Sequence, residues 1–158
     1  ALKKIDVTET LKGSIELIKK MYRMRSVDIK FDNNREEKIF VKANNLLEGV
    51  FENIMINAIK HNDSEKVQIE IKTSEDQDLN YIKIEFLDNG IGIPDNLKKR
   101  LFKEESKLDK TVGGMGLGLT LVDTLVKSYQ GKIEVKNKVK ADYTQGSNFI
   151  LYLPKYPN

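Results

Sequence analysis

The feature that most constrains this chain is a periodicity that switches three times from helical spacing to strand-like alternation. Residues 7–24 place Leu11, Ile15, Leu17, Ile18 and Met21 near one face at helical spacing, with lysines and glutamates elsewhere, which predicts an amphipathic opening helix. Residues 27–31 and 38–42 then alternate apolar and polar side chains around the polar segment 32–37, and are expected as paired strands. Asn45 is expected to cap a second helix that reaches about His61, with Glu48 three residues later completing a capping box ahead of Val50, Phe51 and Ile54. Residues 67–73 and 81–87 are again β-patterned, separated by the acidic, polar stretch 74–80, which suits a hairpin loop. Beyond residues 88–94 come a short helix ending near Phe102, a polar loop, a helix over about 116–129, and strands at 132–137 and 148–153. Helices alternating with strand pairs predict an α/β fold, a two-layer sandwich with helices on one face of a mixed sheet. The 158 residues suit one domain.

Composition narrows the function classes. With 32% charged and 39% hydrophobic residues the chain reads as globular rather than disordered. It contains no cysteine, so disulfides, thiolate nucleophiles and Cys-based zinc sites are excluded. The net charge of +3 arises from 27 basic and 24 acidic residues dispersed along the chain, too weak a field to suggest nucleic-acid binding. No apolar run approaches the roughly 20 residues of a bilayer span, and no signal-peptide pattern opens the sequence. No direct membrane contact and a cytoplasmic location are the corresponding expectations.

Three glycine- and amide-bearing segments carry the candidate chemistry. In residues 53–61, Asn53 and Asn57 stand four apart and project from one helix face, with Lys60 about a turn on. An amide oxygen can ligate Mg²⁺, a hard ion that favours oxygen donors beside nucleotide phosphates, and a lysine suits phosphate charge. Asn57 is the expected magnesium ligand. The same residues would equally suit the solvated face of an amphipathic helix.

In residues 88–94 an acid, Asp88, ends a strand and is followed by Gly90, Gly92 and Ile93, where a glycine backbone can turn tightly against a flat ligand. A fixed carboxylate can accept a hydrogen bond from the exocyclic amine of adenine, which guanine lacks at that position, so Asp88 is the candidate for base specificity. Asp-Asn-Gly is also an ordinary turn sequence. In residues 113–119, Gly114, Gly116 and Gly118 interleave with Met115, Leu117 and Leu119 to open an apolar helix, whose bare N–H groups and dipole can cradle a phosphate. Clustered glycines also make mobile loops, but Lys107 and Lys110 just before them would let such a loop close over phosphates. Leu119 follows Gly118 where a P-loop needs lysine and then Ser or Thr, and no strand leads directly into the glycines as a dinucleotide-binding turn requires.

Taken together and in order, these segments resemble the ATP-binding catalytic domains of sensor histidine kinases, within the wider group that contains gyrase, heat-shock protein 90 and mismatch-repair ATPases. Residues 53–60 are similar to the family's N box, residues 88–92 to its G1 box, Phe102 to its F box and residues 114–119 to its G2 box. Residues 145–154 resemble its closing strand. The resemblance implies a Bergerat fold with a mostly antiparallel sheet, and ATP with Mg²⁺ held between helices and a flexible lid at about 103–115. It puts Asp88 on adenine, Asn57 on magnesium, Lys60 on phosphate, His61 at the pocket edge, and Gly116 and Gly118 beneath the lid. Lys107 would reach the γ-phosphate, and Asn53 and Lys60 would serve the catalytic step. Met115 stands where the family commonly has threonine.

Hydrolysing members of the wider group, and its serine kinases, place a glutamate general base where this chain has Asn53. Glu52 is adjacent but lies about 100° around the helix and cannot substitute for it. Transfer to a histidine needs no such base, because imidazole is itself a nucleophile and the domain need only position and stabilise the γ-phosphoryl group. The only histidine is His61, so the resemblance implies an acceptor histidine on a separate dimerisation domain, and then a response regulator.

Overall fold

The computed structural model describes residues 1–32, 38–78, 80–103 and 115–157. Its elements are β1 (Lys3–Asp6), α1 (Val7–Met21), β2 (Val27–Asp32), β3 (Phe40–Ala43), α2 (Leu47–Lys60), β4 (Val67–Glu75), β5 (Tyr81–Asp88), α3 (Asp95–Lys98), α4 (Met115–Ser128), β6 (Lys132–Val139) and β7 (Asp142–Pro154). Strands β2-β4-β5-β7-β6 form one five-stranded sheet, antiparallel throughout except for the parallel pair β2–β4. This is the mixed, mostly antiparallel α/β sandwich that the sequence predicts.

Alternation along β5 buries Ile82, Ile84, Phe86 and Asp88 on one face, and register pairs those positions with Leu153, Leu151 and Phe149 of β7 and with Ile71 and Ile69 of β4. Helix α2 packs over this apolar face and against α1 and α4. Leu47, Val50, Phe51, Ile54, Met55, Ala58 and Ile59 are accordingly buried over more than one stripe, as befits a helix enclosed by neighbours. The Phe51 and Phe86 rings lie 5.9 Å apart across the layer boundary.

Helix α1 starts as its sequence allows: the Asp6 side chain accepts a hydrogen bond from the Glu9 N–H at 3.1 Å. Its buried stripe is Val7, Leu11, Ile15 and Ile18, whereas Leu17 and Met21, expected on that face, are 41% and 54% exposed. Period 3.6 places Leu17 two residues, or about 200°, from Ile15, so it faces outward.

Two further expectations are corrected. The segments around 27–31 and 38–42 do not pair with each other: β2 runs parallel to β4, Val27 opposite Val67, and β3 pairs antiparallel with β1, Lys3 opposite Ala43. Alternation identifies a strand but not its partner, and helix α2 supplies the crossover that lets β4 lie parallel beside β2. Nor does Asn45 cap α2. The cap position is Leu46 without a side-chain bond, and Asn44 accepts instead from the Leu46 N–H at 3.0 Å and from the buried Tyr129 hydroxyl at 2.6 Å. An Asx turn one residue earlier thus replaces the capping box. Strand β1, which pairs with β3 ahead of α1, was not expected.

Candidate functional site

The site is built around Asp88, the last residue of β5, which alternation carries to the core face, where it is 5% exposed. Its Oδ1 accepts the N–H groups of Gly90 at 2.9 Å and Ser147 at 3.2 Å. Burial pushes the carboxyl above its usual range, and these two donors and the charge of Lys138 oppose that rise. Among the described residues no donor reaches Oδ2, so one oxygen of a fixed carboxylate is left to accept from a ligand.

The loop after Asp88 is shaped by backbone approach. A Cβ on Gly90 would come within 2.6 Å of the His61 carbonyl oxygen. Gly92 has φ +79°, and a Cβ there would strike the Tyr143 carbonyl oxygen. Gly146 has φ +114° and would likewise strike the carbonyl oxygen of Asp88. The glycines are therefore required where β7 and the end of α2 press on this loop. The Ile91 N–H donates to the His61 carbonyl at 3.0 Å, tying the loop to the end of α2.

Asn62 and Asn89 complete that tie and were not singled out from the sequence. Asn62, 6% exposed, donates from Nδ2 to Asn89 Oδ1 at 2.7 Å, and the Gln68 N–H donates to the same oxygen at 2.8 Å. Asn89 Nδ2 donates to the Lys66 carbonyl at 3.0 Å. The available signal is only an asparagine after the first segment and one inside the second, which turns also use. Ser147 lies in the expected closing strand, and its N–H also holds the Asp88 carboxylate; a bond between positions 59 residues apart leaves no local signature.

On α2, Asn57 is 7% exposed. Asn53 donates from Nδ2 to the Gly49 carbonyl at 2.8 Å, and its Oδ1 lies 3.4 Å from where a Cβ on Gly118 would stand. A Cβ there would make only ordinary contact with Asn53, so the approach of α4 does not itself require a glycine. Burial and the neighbouring Glu48 both raise the pKa of Glu52, which groups it with the preceding turn of α2. Exposed Lys60 ends α2, and burial first and then the Lys60 charge hold the His61 imidazole below its usual pKa. His61 Nε2 is buried without a partner among the described residues.

Phe102 meets Phe149 edge to face at 6.4 Å between ring centroids. The Thr120 hydroxyl donates to the Lys103 carbonyl at 3.5 Å, joining the two flanks of residues 104–114. Ile93 and Leu119 are 6% and 1% exposed within the core, so they pack beneath the site. Met115, Gly116 and Leu117 form the first turn of α4. Lys107, Gly114 and most of the expected lid at 103–115 lie outside the described residues.

These residues fit a magnesium nucleotide. No group of three His, Asp or Glu side chains able to hold a metal occurs among the described residues, so a cation here would draw most of its ligands from phosphate and water around the Asn57 amide. A buried acceptor at Asp88 suits a base amine. No helix among the described residues is long and apolar enough to cross a membrane.

Comparison with known proteins identifies the family and the fold. Residues 43–157 match the family described as histidine kinase-, DNA gyrase B- and HSP90-like ATPase. The chain is 34% identical over 109 residues to the sensor protein kinase WalK of Staphylococcus haemolyticus, covering 66% of this chain and 17% of that protein. It is 33% identical to WalK of Staphylococcus aureus over the same share of the chain and 25% of that protein. The chain thus spans a quarter or less of the length of these curated relatives. Among solved structures, the nucleotide-free catalytic domain of histidine kinase ThkA superposes with a TM-score of 0.82 at 24% identity, over 99% of both chains. A mycobacterial sensor histidine kinase, MprB, gives 0.80 at 19% identity over all of both chains. ThkA in complex with the response regulator protein TrrA gives 0.76 at 21% identity over 99% of this chain and 42% of that one.

Proposed function

Since the chain belongs to the family of histidine kinase-, DNA gyrase B- and HSP90-like ATPases, we propose that it is a single domain that binds Mg-ATP and transfers the γ-phosphoryl group to a histidine on a separate dimerisation domain. The observation that carries this reading is the buried Asp88, fixed through one oxygen by Gly90 and Ser147 with the other left to accept from adenine. Asn57 would supply an amide oxygen to magnesium, and Lys60 a charge to the phosphates. Bound nucleotide supplies the phosphoryl group. The chain's residues orient it, exclude water and leave proton traffic to the incoming imidazole.

Asn53 separates transfer from hydrolysis. Its amide donates to the Gly49 carbonyl, and it cannot take a proton from water. Residues 103–115 would close as a lid, with Lys107 toward the γ-phosphate. The sole histidine, His61, ends α2 with its Nε2 buried, so the acceptor comes from another domain. A response regulator would then receive the group, in the cytoplasm.

The test is incubation with γ-labelled ATP, Mg²⁺ and a histidine-bearing dimerisation domain of a sensor kinase. Acid-labile, alkali-stable label on that domain is expected. ATP binding without any transfer, or steady release of phosphate by the chain alone, would contradict the reading.

A further inference from the structure

Arg25 lies in the turn between α1 and β2, away from every motif considered above. Its Nη2 donates to the carbonyl of Asn62 at 2.6 Å and of Ser64 at 3.3 Å, and its Nη1 donates to the carbonyl of Ile59 at 3.4 Å. The last carbonyls of a helix and the turn beyond it lack intrahelical partners and favour a cation, so one guanidinium gathers the end of α2 and the segment that follows it. Within this stretch, His61 and Asn62 hold the loop after Asp88. The His61 carbonyl accepts the Ile91 N–H at 3.0 Å, and Asn62 Nδ2 donates to Asn89 Oδ1 at 2.7 Å.

We propose that Arg25 is a positioning residue for base recognition: by fixing residues 59–64 it sets, through His61 and Asn62, where the loop holds Asp88. It touches no nucleotide. This role rests on the reading of Asp88 as the acceptor of the adenine amine. The planar fork matters, because three acceptors in three directions are met by one rigid group, whereas a lysine offers a single flexible ammonium. Without the fork the carbonyls of Ile59, Asn62 and Ser64 would turn toward water, and Asn62, 6% exposed, would move with them. Gly90, whose N–H donates to Asp88 Oδ1, would move with the loop and turn the carboxylate at the end of β5 away from the base.

A positioning role and a merely structural one differ in base preference, because a folded but less stable domain keeps its ratio of ATP to GTP affinity. Calorimetric titration of both nucleotides with Mg²⁺ would compare the wild type with Arg25→Met and Arg25→Lys, below the unfolding range of each. Arg25→Met is expected to weaken ATP about 10-fold while leaving GTP nearly unchanged, and Arg25→Lys to recover part of the difference. Asn62→Ala cuts the link to Asn89 but keeps all three Arg25 bonds, and should narrow the preference similarly if Arg25→Met does not fold. A folded Arg25→Met, or Asn62→Ala, with the wild-type ATP to GTP ratio would overturn the proposal. A wild type without preference for ATP would instead overturn the reading of Asp88, and this inference with it.

Discussion

The Ser147 N–H, on β7, donates across the sheet to Oδ1 of Asp88 at the end of β5, 3.2 Å away, and so orients a carboxylate that is 5% exposed. Burial raises its pKa, so the folded state holds the proton more tightly than the unfolded chain. The stability this contributes is full below the unfolded carboxylate value of about 3.9 and is lost as pH rises through the folded value. Asp88→Asn removes the buried charge. It is expected to be at least as stable as the wild type near neutral pH, yet to bind ATP about 10- to 100-fold more weakly, because an amide N–H₂ would face the adenine amine. Denaturant unfolding and nucleotide titration of the same preparation check both parts; wild-type ATP affinity would remove Asp88 from the site.

Glycines here divide by what surrounds them. Gly92→Ala would place a methyl against the Tyr143 carbonyl at φ +79°, and is expected to cost at least about 2 kcal/mol of stability. Gly49 on α2 has nothing within 4 Å of its missing Cβ, so Gly49→Ala should stabilise by about 0.5–1 kcal/mol. Denaturant midpoints of the two variants should move in opposite directions.

Gln130 follows α4 with φ 63°, a left-handed conformation that a side chain makes unfavourable. The Tyr81 hydroxyl bonds to its backbone carbonyl at 3.3 Å, a contact any residue keeps. Gln130→Gly is therefore expected to stabilise the chain by about 1 kcal/mol. Thermal unfolding measures it, and a lowered midpoint would contradict the account of this turn.

His61 predicts a pH dependence of opposite sign to Asp88. Its pKa is held below 6.5 by burial and by Lys60, so the folded state resists its protonation. The stability involved is present above the unfolded value of 6.5 and is lost as pH falls toward the folded value. His61→Gln should flatten the decline in unfolding free energy below about pH 6.5 relative to wild type. Parallel profiles for the two proteins would show that His61 titrates alike in both states.

Much of this was legible in the residues, and the remainder was not for identifiable reasons. Helix α2 and strand β5 announce themselves through local period, and Asp88, Gly90 and Gly92 through composition at a strand end. The pairing of β2 with β4, the strand β1, and the bond from Ser147 to Asp88 depend on chain crossings that no local pattern records. Asn44 and Asn45 are chemically alike, so which one turns into α2 is decided by Tyr129, 85 residues away. Leu17 and Met21 satisfy a loose helical spacing, but of the apolar residues of α1 only Val7, Leu11, Ile15 and Ile18 are buried.

The most direct test of the central claim is calorimetric titration with ATP, with and without Mg²⁺, on the wild type and on Asn57→Ala. The account predicts saturable binding that Mg²⁺ strengthens in the wild type, and binding indifferent to Mg²⁺ in the variant. A folded wild-type chain that does not bind ATP, or an Asn57→Ala variant with undiminished response to Mg²⁺, would contradict it.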